Sequence, residues 1–284
     1  MLIGILWSGC GQGLDVGSDV IWSARFEADA GLSEWTKAWT KTWSRDGGMG
    51  SDGAIGSDPA TGGTAGSVSG MSASSTIAVA ASQSHSGAHA AQLQNNMTEQ
   101  QQNCSLTRTG TTLPARAYYS AWFYLPQRYT VGAGGFWAIM KFRRRDGNGN
   151  QHELYDLDLK DSGTDMTLRL YNWDKGTTEA TLDSMDRKVP IGAWFQIEAY
   201  YCFAAECNSS NDPAFSLWLD GTKLLDIPSR TSEVTSWVAW EVANIGQGLT
   251  DPTKTPPVSA TVTLFVDDAA ISLRPVRPGG QLPE

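Results

Sequence analysis

Hydrophobic and polar residues alternate along most of this chain with a period of two, the spacing of strands that bury one face. PIGAWFQIEAYYCF sets Phe195, Ile197, Ala199 and Tyr201 against Trp194, Gln196, Glu198 and Tyr200. DMTLRLYNW sets Met166, Leu168 and Leu170 against Thr167, Arg169, Tyr171 and Trp173. AYYSAWFYLP reads as a strand stopped by Pro126, because proline has no N–H to give to a ladder. AFSLWLDGTKLLDI reads as a hairpin about Asp220-Gly221, a strong two-residue turn signal. VIWSARFEADAGLSEW opens the series from Val20, SHSGAHAAQLQ adds a small strand after a turn at Ser86-Gly87, and TSWVAWEVANI and SATVTLFVDDAAISL supply the last strands. No segment reads as a convincing helix. Strand after strand at short spacing predicts an all-β fold, an antiparallel β-sandwich.

The stretch from Gly134 to Lys160 concentrates the chemistry. It predicts a β-hairpin turned by Asp146-Gly-Asn-Gly-Asn150, with Phe136, Ala138, Met140 and Phe142 on one side of its first arm and Trp137, Ile139, Lys141 and Arg143 on the other. The return arm sets Glu153, Tyr155, Leu157 and Leu159 against His152, Leu154, Asp156 and Asp158. One face is mostly apolar, and the opposite one carries cations, an aromatic, a histidine and two carboxylates. With Arg169, Tyr171, Trp173, Gln196, Glu198 and Tyr200 on the outer parity of later strands, this reads as one face able to grip a polar ligand. Aromatic rings there would stack on the C–H face of a sugar while polar side chains bond its hydroxyls, and Lys or Arg would pair a uronate or sulfate.

Composition narrows the classes. Glycine at 30, tryptophan at 12 and only 18% charged residues suit a turn-rich sandwich. The net charge of -9 argues against nucleic acid as a partner, since there is no basic surplus to neutralise phosphates. Residues 20–274 read as one sandwich domain, 46–83 as a Gly/Ser-rich surface excursion within it, and 275–284 as a flexible tail. The first 19 residues combine a signal-like segment and a linker: MLIGILWSGCGQG resembles the end of a bacterial lipoprotein signal, in which Cys10 would carry the lipid anchor. That places the domain outside the cytoplasm, secreted or held at the outer surface or in the periplasm, with any membrane contact through Cys10 alone. Cys104, Cys202 and Cys207 leave the disulfide pairing open.

The order of these pieces, from RFEADAGLSEW through SHSGAHAAQLQ, YYSAWFYLP, FWAIMKFRRRDGNGN, MTLRLYNW, PIGAWFQIEAYY, LWLDGTKLLDI and LFVDDAAISL, resembles the polysaccharide lyase domains of heparin-lyase type. These belong to the concanavalin A-like lectin and glucanase superfamily of jelly rolls. The resemblance spans roughly residues 20–273 and implies a jelly roll that binds an acidic polysaccharide across its concave sheet. It also implies β-elimination, for which His152 and Tyr171 or Tyr200 are the candidate proton-transfer residues and Lys141, Arg143 and Arg169 would read the uronate carboxylate; Trp173, Gln196 and Glu198, on the outer parity of their strands, are the further candidate substrate contacts. The alternative is a non-catalytic glycan-binding or structural surface module using the same face. Asp156 and Asp158 do not reproduce the Glu-x-Asp-x-Glu pattern of the superfamily's glucanases.

Glu27 near the end of the first strand and Asp267-Asp268 near the end of the last resemble a structural calcium position, with carbonyl oxygens of the His85-Ser86-Gly87 turn as further ligands. No organic cofactor is expected.

Overall fold

The computed structural model describes residues 19–27, 31–35, 37–43, 75–96, 101–110, 114–129, 137–145, 151–172, 177–179, 187–202, 207, 213–228, 238–246 and 261–276. Apart from a 3-10 turn at Gly31–Glu34, the elements they form are strands. Two antiparallel sheets stack as a jelly-roll sandwich. The seven-stranded sheet runs in the order β10 (Thr177–Glu179), β9 (Met166–Asn172), β8 (Gln151–Asp161), β7 (Trp137–Arg145), β14 (Val238–Gly246), β5 (Gln101–Gly110) and β2 (Lys37–Trp43). The eight-stranded sheet runs β13 (Thr222–Ile227), β12 (Phe215–Leu219), β11 (Trp194–Cys202), β6 (Arg116–Tyr124), β15 (Thr261–Ser272), β4 (Ala90–Asn96) and β3 (Ser75–Ala80), with β1 (Val20–Ala24) paired to β15.

The alternation sorts inside from outside as the pattern requires. Phe195, Ile197, Ala199 and Tyr201 of β11 and Met166, Leu168 and Leu170 of β9 all lie in the common core. Rings from the two sheets interlock there. Phe142 meets Tyr119 edge-on at 5.2 Å and Phe215 at 5.6 Å, and Tyr155 lies 4.7 Å from Phe215. Each such buried side chain contributes about 1.5–3 kcal/mol over an exposed one, so the interlock is what holds the sheets face to face. The β12–β13 hairpin turns where expected, with Asp220 at φ 48° and Gly221 at φ 73°, the left-handed pair of a tight hairpin.

Two bulges correct the expected faces of the β7–β8 hairpin. The register runs from Trp137 opposite Leu159 and Ala138 opposite Asp158 to Met140 opposite Leu157, so Ile139 is an extra residue that shifts the phase. Trp137, expected on the polar face, therefore lies in the core, 5.1 Å from Tyr129, and Ala138 takes the outward position. A second shift skips Leu154, so Glu153 rather than His152 stands opposite Arg143, and His152 stands opposite Arg144. A period of two read through an unseen bulge assigns every residue beyond it to the wrong face.

Four strands escaped the sequence reading, the short edge strand β10 among them. β5, reading QQNCSLTRTG, offers the core only Cys104 and Leu106 among its described side chains, and β2 pairs along it. β3 occupies the end of the stretch read as a surface excursion and pairs with β4 as an edge strand. The rest of that excursion and the signal-like segment lie outside the described residues. The expected flexible tail also starts too early: Val276 is tied down, as described below.

Candidate functional site

Cross-strand registers align seven backbone positions across the seven-stranded sheet, four of which, Thr107, Lys141, Asp156 and Tyr171, have described side chains. Lys37 pairs with Thr107, Thr107 with Glu241, Glu241 with Lys141, Lys141 with Asp156, Asp156 with Tyr171 and Tyr171 with Thr178. These seven positions, one per strand, span six spacings of about 4.8 Å each, a track of roughly 29 Å. Ala138, Asp158 and Arg169 form a second, shorter row beside it.

Two cations of this face, Lys141 and Arg169, are held by carboxylates. Lys141 Nζ lies 3.2 Å from Asp156 Oδ2. Arg169 donates from both Nε and Nη2 to Asp158 Oδ2, at 3.0 and 2.5 Å. The Arg169 guanidinium also lies 5.7 Å from the centroid of the Tyr171 ring. Asp156 and Asp158 are both 0% exposed although they point away from the hydrophobic core. They form the floor of the face, and Arg169 and Tyr171 are its half-exposed upper layer. Burying such pairs yields little net stability, because desolvation offsets the Coulomb attraction. Folding alone does not call for them, and that is the physical reason to read this face as a site.

Sequence reasoning placed Lys141, Arg143, Arg169 and Tyr171 together correctly and saw that Asp156 and Asp158 share their side. It missed that the aspartates bind the cations, because that depends on strand register. Arg143 is half-buried, opposite Glu153 and Ala239. His152 is placed here through its backbone only. Trp173 and the side chain of His152 lie outside the described residues.

Gln196, Glu198 and Tyr200 do not join this face. Their strand, β11, belongs to the eight-stranded sheet, and they point outward on the opposite side of the molecule. Gln196 and Glu198 are 2% and 3% exposed and grip the chain's own peptide. Glu198 accepts the N–H of Val276, and the Gln196 amide donates to the Val276 carbonyl at 2.7 Å. Tyr200 enters an aromatic group with Tyr118 and Trp218 and lies 3.9 Å from Cys207 Sγ. Parity separates the two faces of a strand but says nothing of which sheet the strand joins. Cys207 is bonded to Cys202, and Cys104 is a buried free thiol whose pKa burial pushes up.

The expected calcium segments do meet. The 85–89 loop runs past Asp267 and Asp268 at one end and Glu27 at the other. His85 and Ser86 donate backbone N–H to Asp267 Oδ2 at 2.8 and 3.2 Å, and the His85 ring and Ser86 hydroxyl bond Asp268. Ala88 and His89 donate N–H to Glu27 Oε1. Gly87, at φ 63°, has no room for a side chain: a Cβ would come within 1.8 Å of Glu27 Oε1. Burial, with the Asp268 charge behind it, pushes the Asp267 carboxyl up to about 7 against three N–H donors. Slight burial acts to raise Glu27, but the Ala88 and His89 N–H groups outweigh it and hold that carboxyl below its usual range. The carboxylates suit a hard cation in kind, while the loop presents N–H groups to them rather than the carbonyl oxygens that were expected.

No protein-family model matches the chain, and no curated protein does either. Its structural neighbours are polysaccharide lyases and carbohydrate-binding modules. An endo-β-1,4-glucuronan lyase from the fungus Trichoderma reesei aligns with TM-score 0.48 at 12% identity, over 70% of this chain and 87% of its own. The cellulose-induced protein Cip1 aligns with TM-score 0.48 at 14% identity, over 72% and 88%. A xylan-binding domain from Paenibacillus barcinonensis Xyn10C aligns with TM-score 0.37 at 13% identity, over 92% and 97%.

Proposed function

We propose that this protein binds a polysaccharide along the polar row of the seven-stranded sheet. The row itself carries the reading: among its described side chains, Thr107, Lys141, Asp156 and Tyr171 follow one another across the strands as donors and acceptors, with the Lys141–Asp156 ion pair at their centre. A glycan lying across the strands would meet carboxylates that accept from its hydroxyls and cations that donate to them. The buried aspartates hold Lys141 and Arg169 in fixed positions, so little ordering remains to be done on binding. Tyr171 offers a ring beside Arg169 for the C–H face of a sugar. The disulfide between Cys202 and Cys207 supports a location outside the cytoplasm, and lipidation at Cys10 belongs to the same proposal. A calcium ion between the 85–89 loop, Glu27 and Asp267 is proposed as a structural staple. Its support is the pair of adjacent carboxylates, whose charge a cation would offset.

Cleavage of an acidic glycan is the second reading, favoured by Tyr171 standing beside Arg169. In β-elimination the C5 proton passes to a base, the C4–C5 double bond forms, the C4–O bond breaks and the leaving oxygen takes a proton. Among the described side chains of this face Tyr171 is suited to those transfers, with Lys141 or Arg169 facing the uronate carboxylate. Both cations already pair with aspartates, which ranks cleavage below binding.

A glycan array followed by assay for unsaturated uronate separates the two. Binding predicts retention on at least one polysaccharide, weakened tenfold or more in Arg169→Ala, with no new absorbance. Absorbance that disappears in Tyr171→Phe would establish the lyase, and a blank array would remove both readings.

A further inference from the structure

A cleft of about 450 Å³ opens on the eight-stranded sheet, away from the polar row. Its floor is Tyr124 and Phe265, whose rings meet edge to face with centroids 6.0 Å apart. Gln83, Gln127, Thr261 and Thr263 supply amides and hydroxyls at its walls. The wall on β15 is fixed from behind: the Tyr129 hydroxyl accepts the Thr263 N–H and donates to the Thr263 carbonyl, both at 3.0 Å. Among the described residues, none that lines this cleft carries a charge at neutral pH.

The aromatic surface continues past its mouth. Trp194 lies 5.6 Å from Tyr124, His85 lies 5.8 Å from Trp194, and the His85 ring stacks on Trp122 at 3.7 Å. Another cleft, of about 390 Å³ at the β8–β9 turn, shows the contrast. It is lined by Lys160, Asp161, Asp165 and Lys188, and Lys188 pairs with Asp165 at 2.9 Å within it.

Size and chemistry select the ligand of the uncharged cleft. Its volume lies within the ~300–1,000 Å³ typical of small-molecule sites. A purely apolar guest would leave the two carboxamides and the threonine hydroxyls without partners, and an ionic guest would find no counter-charge. A neutral sugar meets both demands, stacking a C–H face on Tyr124 while its hydroxyls bond Gln83, Gln127 and Thr261. We propose that this cleft is a second glycan site, specific for neutral sugars, with the strip through Trp194 as the path along which the oligosaccharide leaves it. This reading is independent of the polar row and stands or falls without it.

Isothermal titration of the full chain with cellohexaose, xylohexaose, mannohexaose and laminarihexaose tests the proposal. At least one of these binds, Tyr124→Ala weakens it about fivefold or more, and Gln127→Ala weakens it by about threefold. Asp226→Ala, at an exposed ion pair on β13 three strands from β6, leaves it unchanged. Gln127 is exposed, so its substitution reports on the site even if Tyr124→Ala fails to fold. Absence of binding by all four, binding within twofold of wild type in Gln127→Ala, or loss in Asp226→Ala would overturn it.

Discussion

Among the described outward side chains, those of the seven-stranded sheet include ion pairs that answer one another across strands; those of the eight-stranded sheet include many aromatic rings, and two of its polar residues hold the chain itself. Lys141 and Asp156 illustrate the first case, and Gln196 and Glu198, closed on Val276, the second. Both pairs of residues show the same alternation in sequence. What differs is the neighbour that register and sheet membership supply. A charged residue on an outward strand position is thus not evidence for a ligand until its partner is known.

Removing one member of a buried pair should separate the two faces most strongly. Asp158→Ala takes away the carboxylate that Arg169 grips and is expected to cost about 3–5 kcal/mol, read from urea unfolding. A loss under 1 kcal/mol would mean that the floor of the face is open to water.

The Asp267 site should make the eight-stranded side respond to pH. Its carboxyl is pushed up to about 7 in the fold, above the ordinary value of 3.8, so the folded state holds the proton longer than the unfolded chain. The stability tied to this proton is present at low pH and is lost as pH rises toward 7, by up to ~1.4 kcal/mol per unit. Unfolding in chelator from pH 4 to pH 7.5 checks this, Asp267→Asn should flatten the dependence, and calcium should oppose the loss. Calcium without effect on the melting temperature would remove the staple.

Glu198→Ala should release Val276 and cost about 2 kcal/mol, while leaving retention on the glycan array intact. If glycan affinity fell instead, the two faces would not be separate. The smallest effect belongs to Lys223 and Asp226, an ion pair on β13 with exposed ends, for which Asp226→Ala should change stability by about 0.5 kcal/mol or less.

The fold was legible because it needs only the alternation and a few turn signals. Phe195 and Leu168 had to face inward, and Asp220-Gly221 had to turn. The site was legible in its chemistry but not in its assembly. Trp137 crossed to the core because one extra residue, Ile139, sits before Met140. Tyr200 went to the far side because nothing in its own strand names the sheet it joins. Val276 looked like part of a loose Pro/Gly tail because the clamp that holds it lies about 80 residues earlier. β5 escaped because its segment is largely polar, and it is recognisable as a strand only through its neighbours on both sides.

The central claim, that a glycan lies along the polar row, is tested most directly by titrating the isotopically labelled protein with oligosaccharides of a polymer it retains and following its backbone amides by NMR. The account predicts that resonances of Lys141, Asp156 and Tyr171 shift together with those of their row partners on β5 and β14. Shifts confined to other surfaces, with those three unmoved at saturation, would contradict it.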